Sequence, residues 1–133
     1  MFDILKKVLK PIGPSGLEEP VAAAIRVEVK DYVDTMETDA LGNLICVKKG
    51  TDPNGKKIMF SAHMDHIGFI VTGYEKEGFL RVTNVGGIGM NNSYNRHVVF
   101  PNGVHGVVVA EPVSGQPMMK NLFVDIGAQD KED

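Results

Sequence analysis

Apolar residues recur along this chain in two rhythms, and the rhythm changes partway. Phe2, Leu5 and Leu9, with Ile4 and Val8, form a stripe at helical spacing, and the helix they predict must stop before Pro11. Val21, Ile25, Val29 and Val33 recur every four residues, which predicts a second helix running to about Tyr32. The segment between them, IGPSGLEE, reads as a turn. Ser15 and Glu18 have capping-box spacing, although Pro20 can delay the helix start by a turn. Glu18 and Glu19 suit a helix N-terminus electrostatically, a role that outweighs any acid–base pairing of the two.

Beyond the helices the runs shorten. Thr35 to Thr38 and Leu44 to Val47 predict strands on either side of the turn DALGN. The stretch Lys56–Val71, KKIMFSAHMDHIGFIV, starts with two lysines and is then apolar except for a small and polar centre. It predicts a buried central strand, antiparallel to the strand before it. After Val71 the texture becomes short strands between glycine and asparagine turns: Phe79–Thr83, Arg96–Phe100, Val104–Ala110 and Leu122–Ile126. Pro101, Asn102 and Gly103 form a hairpin turn between two of these. Close spacing of short strands suggests part of a small β-barrel or sandwich. The expected class is therefore α/β, with residues 1–71 as one part and 72–133 as a β-rich second part.

The chemistry concentrates in the central stretch. In a strand, His63 and Asp65 project from one side. A metal-binding imidazole needs its second ring nitrogen held by a carboxylate or carbonyl, and His-x-Asp supplies ligand and holder together. By itself the pattern also fits a hydrogen-bonded core histidine whose proton the aspartate receives. His97 and His105, beside turns in the β-rich part, read as ordinary surface or strand residues.

Composition narrows the partners. The 133 residues carry a net charge of -3, with 43% hydrophobic and 23% charged residues, as in a soluble globular protein. Nothing here favours nucleic acid or an acidic membrane. No segment approaches a membrane span, and the N-terminal stretch, which has an acid at Asp3, lacks a signal peptide's apolar run. The single cysteine, Cys46, excludes an internal disulfide framework and fits a reducing compartment, so a cytoplasmic location is expected. Its place in the run LICV suggests a buried, inert thiol.

Six pieces of the sequence, in order, resemble a family of metallo-aminopeptidases that includes glutamyl and deblocking aminopeptidases and the tetrahedral TET peptidases. Some of its members are labelled endoglucanase or cellulase. The pieces are GPSGLEEPV (13–21), DALGNLI (39–45), SAHMDHIGFIV (61–71), GFLRV (78–82), VGGI (85–88) and VDIGA (124–128). The resemblance implies a zinc-peptidase α/β domain interrupted by a β-barrel-like oligomerisation domain. It implies an enzyme that removes N-terminal residues from peptides with two metal ions, zinc with cobalt as a substitute. His63 matches the first metal-ligand histidine and Asp65 the aspartate that orients it. The family usually has glutamate where this chain has His66.

The resemblance covers all of this chain but well under half of a family member. The family's bridging aspartate, catalytic glutamate and remaining ligands have no match here. A catalytic zinc needs about three protein ligands, and a two-metal hydrolase also needs a bridging carboxylate and a base. Two readings follow. One is the N-terminal portion of a two-metal aminopeptidase, inactive alone, with a peptide substrate, a homo-oligomeric state and its missing C-terminal half as partners. The other is a non-catalytic module that associates with itself or a partner through sheet edges left open. On either, the apolar surface around Phe60, Ile70, Val107 to Val109 and Phe123 is expected to lack cover.

Overall fold

In a computed structural model, which describes residues 1–133, the chain divides into two compact units, Met1–His66 and Ile67–Asp133. The first holds two helices and a hairpin, the second an antiparallel sheet that curls as a half-barrel, so the class is α/β.

In the first unit, helix α1 (Phe2–Leu9) and helix α2 (Glu19–Val29) form where the spacing predicted them. α2 carries Pro20 in its first turn, where its missing N–H costs nothing, and it buries Val21 and Ala22. α1 buries no residue and is tied to α2 by Lys7, whose ammonium lies 2.8 Å from Glu28. α2 ends at Val29 rather than Tyr32; the chain turns there, with the Tyr32 amide donating to the Val29 carbonyl at 2.9 Å.

Strands β1 (Thr35–Thr38) and β2 (Leu44–Val47) pair antiparallel, Thr35 opposite Val47. The turn between them is organised by Asp39, whose Oδ1 accepts from the Leu41 and Asn43 amides, both at 2.9 Å. Its Oδ2 accepts from the Asn43 side chain at 2.8 Å. Bonds from Asn43 are the main reason the Asp39 carboxyl lies below its ordinary value.

Three expectations for this unit fail. Lys56–Val71 is not one buried strand: residues 56–65 join no ladder, and a hydrogen-bonded strand starts only at Gly68. A strand is held by its neighbours, and β2 pairs with β1 alone. The run Ile58, Met59, Phe60 is consequently exposed, Phe60 to 93%. Cys46 is exposed, because β1 and β2 form an isolated two-stranded hairpin. The predicted capping box is absent: Glu18 is the N-cap, without a side-chain cap bond, and its carboxylate instead accepts from the Gly16 amide at 2.6 Å.

The second unit has five strands: β3 (Gly68–Tyr74), β4 (Leu80–Val85), β5 (His97–Val99), β6 (His105–Ala110) and β7 (Leu122–Asp125). Their order is β3-β4-β7-β6-β5, with every pairing antiparallel. Pro101 to Gly103 form the turn between β5 and β6, closed by the Phe100 amide on the Val104 carbonyl at 2.8 Å. Leu80, Val82, Val108, Leu122 and Val124 make the core. These alternate along their strands, so one face is buried. Val108 is 0% exposed, so the expectation that the surface around Val107 to Val109 lacks cover does not hold there. Phe123 is half-buried and packs on Phe79 with ring centres 4.7 Å apart. Ile70 is exposed.

Arg81 on β4 links three parts of this unit. It donates to Glu75 before the β3–β4 turn at 2.5 Å, to Glu111 just after β6, and to the Lys120 carbonyl at 3.4 Å. Asn121 holds the second Glu111 oxygen at 3.2 Å. These bonds, Arg81's first, keep the Glu111 carboxyl below its ordinary value.

Candidate functional site

The segment carrying His63, Asp65 and His66 is fastened to the turn before α2. The His66 amide donates to the Gly13 carbonyl at 3.0 Å, and the Gly13 amide donates to His66 Nε2 at 2.9 Å. Pro14 and His66 form a parallel bridge. One residue further along each segment, the Ser15 hydroxyl donates to Asp65 Oδ2 at 2.5 Å. Two segments fifty positions apart are thus held side by side by three consecutive residues of one and two of the other.

The sequence of the turn explains this contact. Gly13 is buried against α2, and a β-carbon there would lie 2.3 Å from Val21 Cγ2, so only glycine fits. Pro14 to Leu17 close a tight turn through the Leu17 amide and the Pro14 carbonyl at 2.8 Å. Gly16, with φ of 90°, takes the left-handed position that such a turn needs third in order. Ser15 is left at the second position, facing Asp65.

Asp65 in turn holds His63. The ring nitrogen Nδ1 of His63 lies 3.0 Å from Asp65 Oδ1 and 3.0 Å from the Asp65 carbonyl oxygen. Both partners only accept, so Nδ1 is the donor in these contacts, which leaves Nε2 as the ring nitrogen able to carry a lone pair. The His63 side chain is 84% exposed and Asp65's is 35% exposed. The Ser15 hydroxyl first, and the His63 ring second, keep the Asp65 carboxyl below its ordinary value, so it is ionised at neutral pH.

This arrangement fits one arm of a metal site. An exposed imidazole with Nε2 as acceptor and Nδ1 bonded to a carboxylate is the form in which histidine binds zinc. It does not make a closed site, because no group of three or more histidine, cysteine, aspartate or glutamate side chains gathers in the chain. His97 opens β5 and His105 opens β6, both exposed, and they join no such group.

Sequence reasoning places His63 and Asp65 side by side through strand alternation. They do meet, but in a segment outside any ladder, with a backbone carbonyl sharing the contact. It misses the contact of Ser15, read there as a cap, and the bonds between Gly13 and His66, although His66 stands out in the sequence as a departure from the family's glutamate. The signal available was GPSG itself: two glycines flanking a serine near a helix start mark backbone that must approach something closely.

The family model of the M42 glutamyl aminopeptidases matches residues 42–133, well over half of the chain. This chain belongs to the M42 glutamyl aminopeptidase family. A proposed aminopeptidase of Acetivibrio thermocellus is 46% identical over 138 aligned positions, covering 100% of this chain and 40% of that protein. A Thermotoga maritima structure described as an endoglucanase superposes with a TM-score of 0.84 at 36% identity, covering 96% of this chain and 39% of that one. The TET1 peptidase of Pyrococcus horikoshii, which can assemble into a tetrahedron or a large octahedral shell, gives 0.82 at 39% identity, covering 98% and 42%. The chain therefore spans about two fifths of the length of the M42 relatives it matches.

Proposed function

We propose that this chain forms part of a metal-dependent M42 aminopeptidase and supplies it with one metal ligand, His63, and the carboxylate that orients it, Asp65. The observation that carries the reading is the Nδ1 contact of His63 with Asp65, which fixes the tautomer and leaves Nε2 outward. Zinc is the metal this donor suits, with cobalt as a substitute. Two such ions, when bound, would activate a water and polarise the carbonyl of the first peptide bond. The substrate is the N-terminal end of a peptide. The remaining ligands and the base that takes the water's proton come from sequence beyond these 133 residues, since the relatives are more than twice as long.

A second reading, a non-catalytic module that associates with copies of itself, is favoured by the exposed run Ile58, Met59 and Phe60. An uncovered apolar run promotes association. The P. horikoshii relative's assemblies support a homo-oligomer on either reading. Hydrolysis of aminoacyl p-nitroanilides with added zinc or cobalt tests the first. The pure 133-residue chain is expected to show none, and the chain joined to the rest of an M42 polypeptide is expected to turn over. Metal-dependent turnover by the chain alone, or none by the completed polypeptide, would contradict the proposal.

A further inference from the structure

The turn before α2 reaches further into the site than its place in the sequence implies. We infer that Ser15 is a positioning residue for His63: by fixing the Asp65 carboxylate through Oδ2, its hydroxyl sets the tautomer and direction of the imidazole. The inference rests on the metal-ligand reading of His63 only for its consequence, not for its test.

A carboxylate bonded through one oxygen can swing about its own axis and carry that oxygen away. Asp65 is bonded through both. Oδ1 faces His63 Nδ1 at 3.0 Å, and Oδ2 takes the Ser15 hydroxyl at 2.5 Å. The plane of the group is then determined from two sides. Ser15 is in turn held by backbone. The paired bonds between Gly13 and His66 set the register of the two segments one residue away. The Pro14–Leu17 turn fixes which way the serine faces. Gly13 lies against Val21, so the turn is seated on α2. A line of contacts therefore runs from the helix to Gly13, through Ser15 to Asp65, and on to the ring that presents Nε2. A serine placed only for solubility needs none of this, since at the second position of such a turn most residues are tolerated.

His66 belongs to the same fastening. Its Nε2 accepts the Gly13 amide, a bond that requires an acceptor atom at that place. A glutamate oxygen, at the position where the family resemblance expects glutamate, is also an acceptor. The departure therefore keeps a side chain able to accept at this position.

The test is made on the metal-free 133-residue chain by long-range proton–nitrogen correlation of the histidine rings at about pH 8.5, some two units above the usual histidine value. In the native chain, His63 is expected to be held mainly with its proton on Nδ1. Ser15→Thr and Ser15→Val form a matched pair, equal in shape and differing in the hydroxyl. Threonine is expected to keep the native tautomer ratio, and valine to lower the Nδ1–H share at least twofold. A valine variant with the native backbone spectrum and an unchanged ratio overturns the inference, as does a folded threonine variant that loses the ratio. Should valine disturb the backbone spectrum, Ser15→Ala and Ser15→Gly give the same reading without a branched side chain, under the same criterion. The consequence for metal is read separately, on the completed polypeptide. Zinc affinity should fall about 10–100-fold in the valine variant and recover in the threonine variant. A tautomer that follows the hydroxyl while zinc affinity ignores His63→Ala would sink the metal reading and leave the positioning role standing.

Discussion

At the scale of single residues, the site depends on a position with no functional group. Gly13 leaves no room for a β-carbon, with Val21 Cγ2 at 2.3 Å from where one would stand. Gly13→Ala must push the turn off α2 or displace a buried valine. Overpacking of this kind costs about 1–3 kcal/mol. Urea unfolding of the variant should show a loss in that range, with the His63 tautomer ratio disturbed as well. Ser15 shows why this layer was hard to read. Its spacing to Glu18 satisfied a local rule, the capping box, while its actual partner lies fifty positions away. Local spacing is visible in a sequence; a contact set by chain reversal is visible only once the backbone is placed. His63 and Asp65 were legible because their partnership is itself local.

At the scale of elements, the helices and the strands of the second unit were legible from spacing and turn residues. The central strand was not. A continuous apolar run states that a segment tends to be buried, but not which strand lies beside it. Residues 56–65 pair with no strand of the chain. The contrast gives a direct comparison. Leu122 on β7 is 0% exposed, so Leu122→Ala should cost about 2–5 kcal/mol. Phe60→Ser, at a 93% exposed position, should change stability by less than about 0.5 kcal/mol. It should also reduce self-association in light scattering at micromolar concentration. Equal losses for the two would restore the buried central strand.

The Arg81 link belongs to this scale because it joins the β3–β4 turn, the end of β6 and the start of β7. Glu111's carboxyl is held below its ordinary value of 4.5, with Arg81 as the main cause. A lowered carboxylate contributes stability above its unfolded value, and loses it as pH falls through the folded one. Glu111→Gln should therefore melt at a lower temperature than the native chain at neutral pH. The difference should persist through pH 4.5, vanish at lower pH, and shrink in about 1 M salt, because the pair is partly exposed. A difference independent of pH would mean that packing, not charge, is what the variant loses.

At the scale of the whole molecule, the two units differ in construction. The first is thinly covered: α1 buries nothing, the hairpin is exposed, and the segment bearing His63 is held mainly by the turn before α2. The second has its own core of Leu80, Val82, Val108, Leu122 and Val124. A chain that spans about two fifths of its relatives, with one oriented imidazole and an uncovered apolar run beside it, is suited to completing a site with polypeptide from elsewhere. On the proposed function, His63 is a metal ligand in that completed site. The most direct test of this is the metal content of the completed M42 polypeptide, measured by elemental analysis after dialysis, with His63 intact and as His63→Ala. Bound zinc is expected in the first and loss of at least one ion per chain in the second; the same zinc content in both would rule out His63 as a ligand.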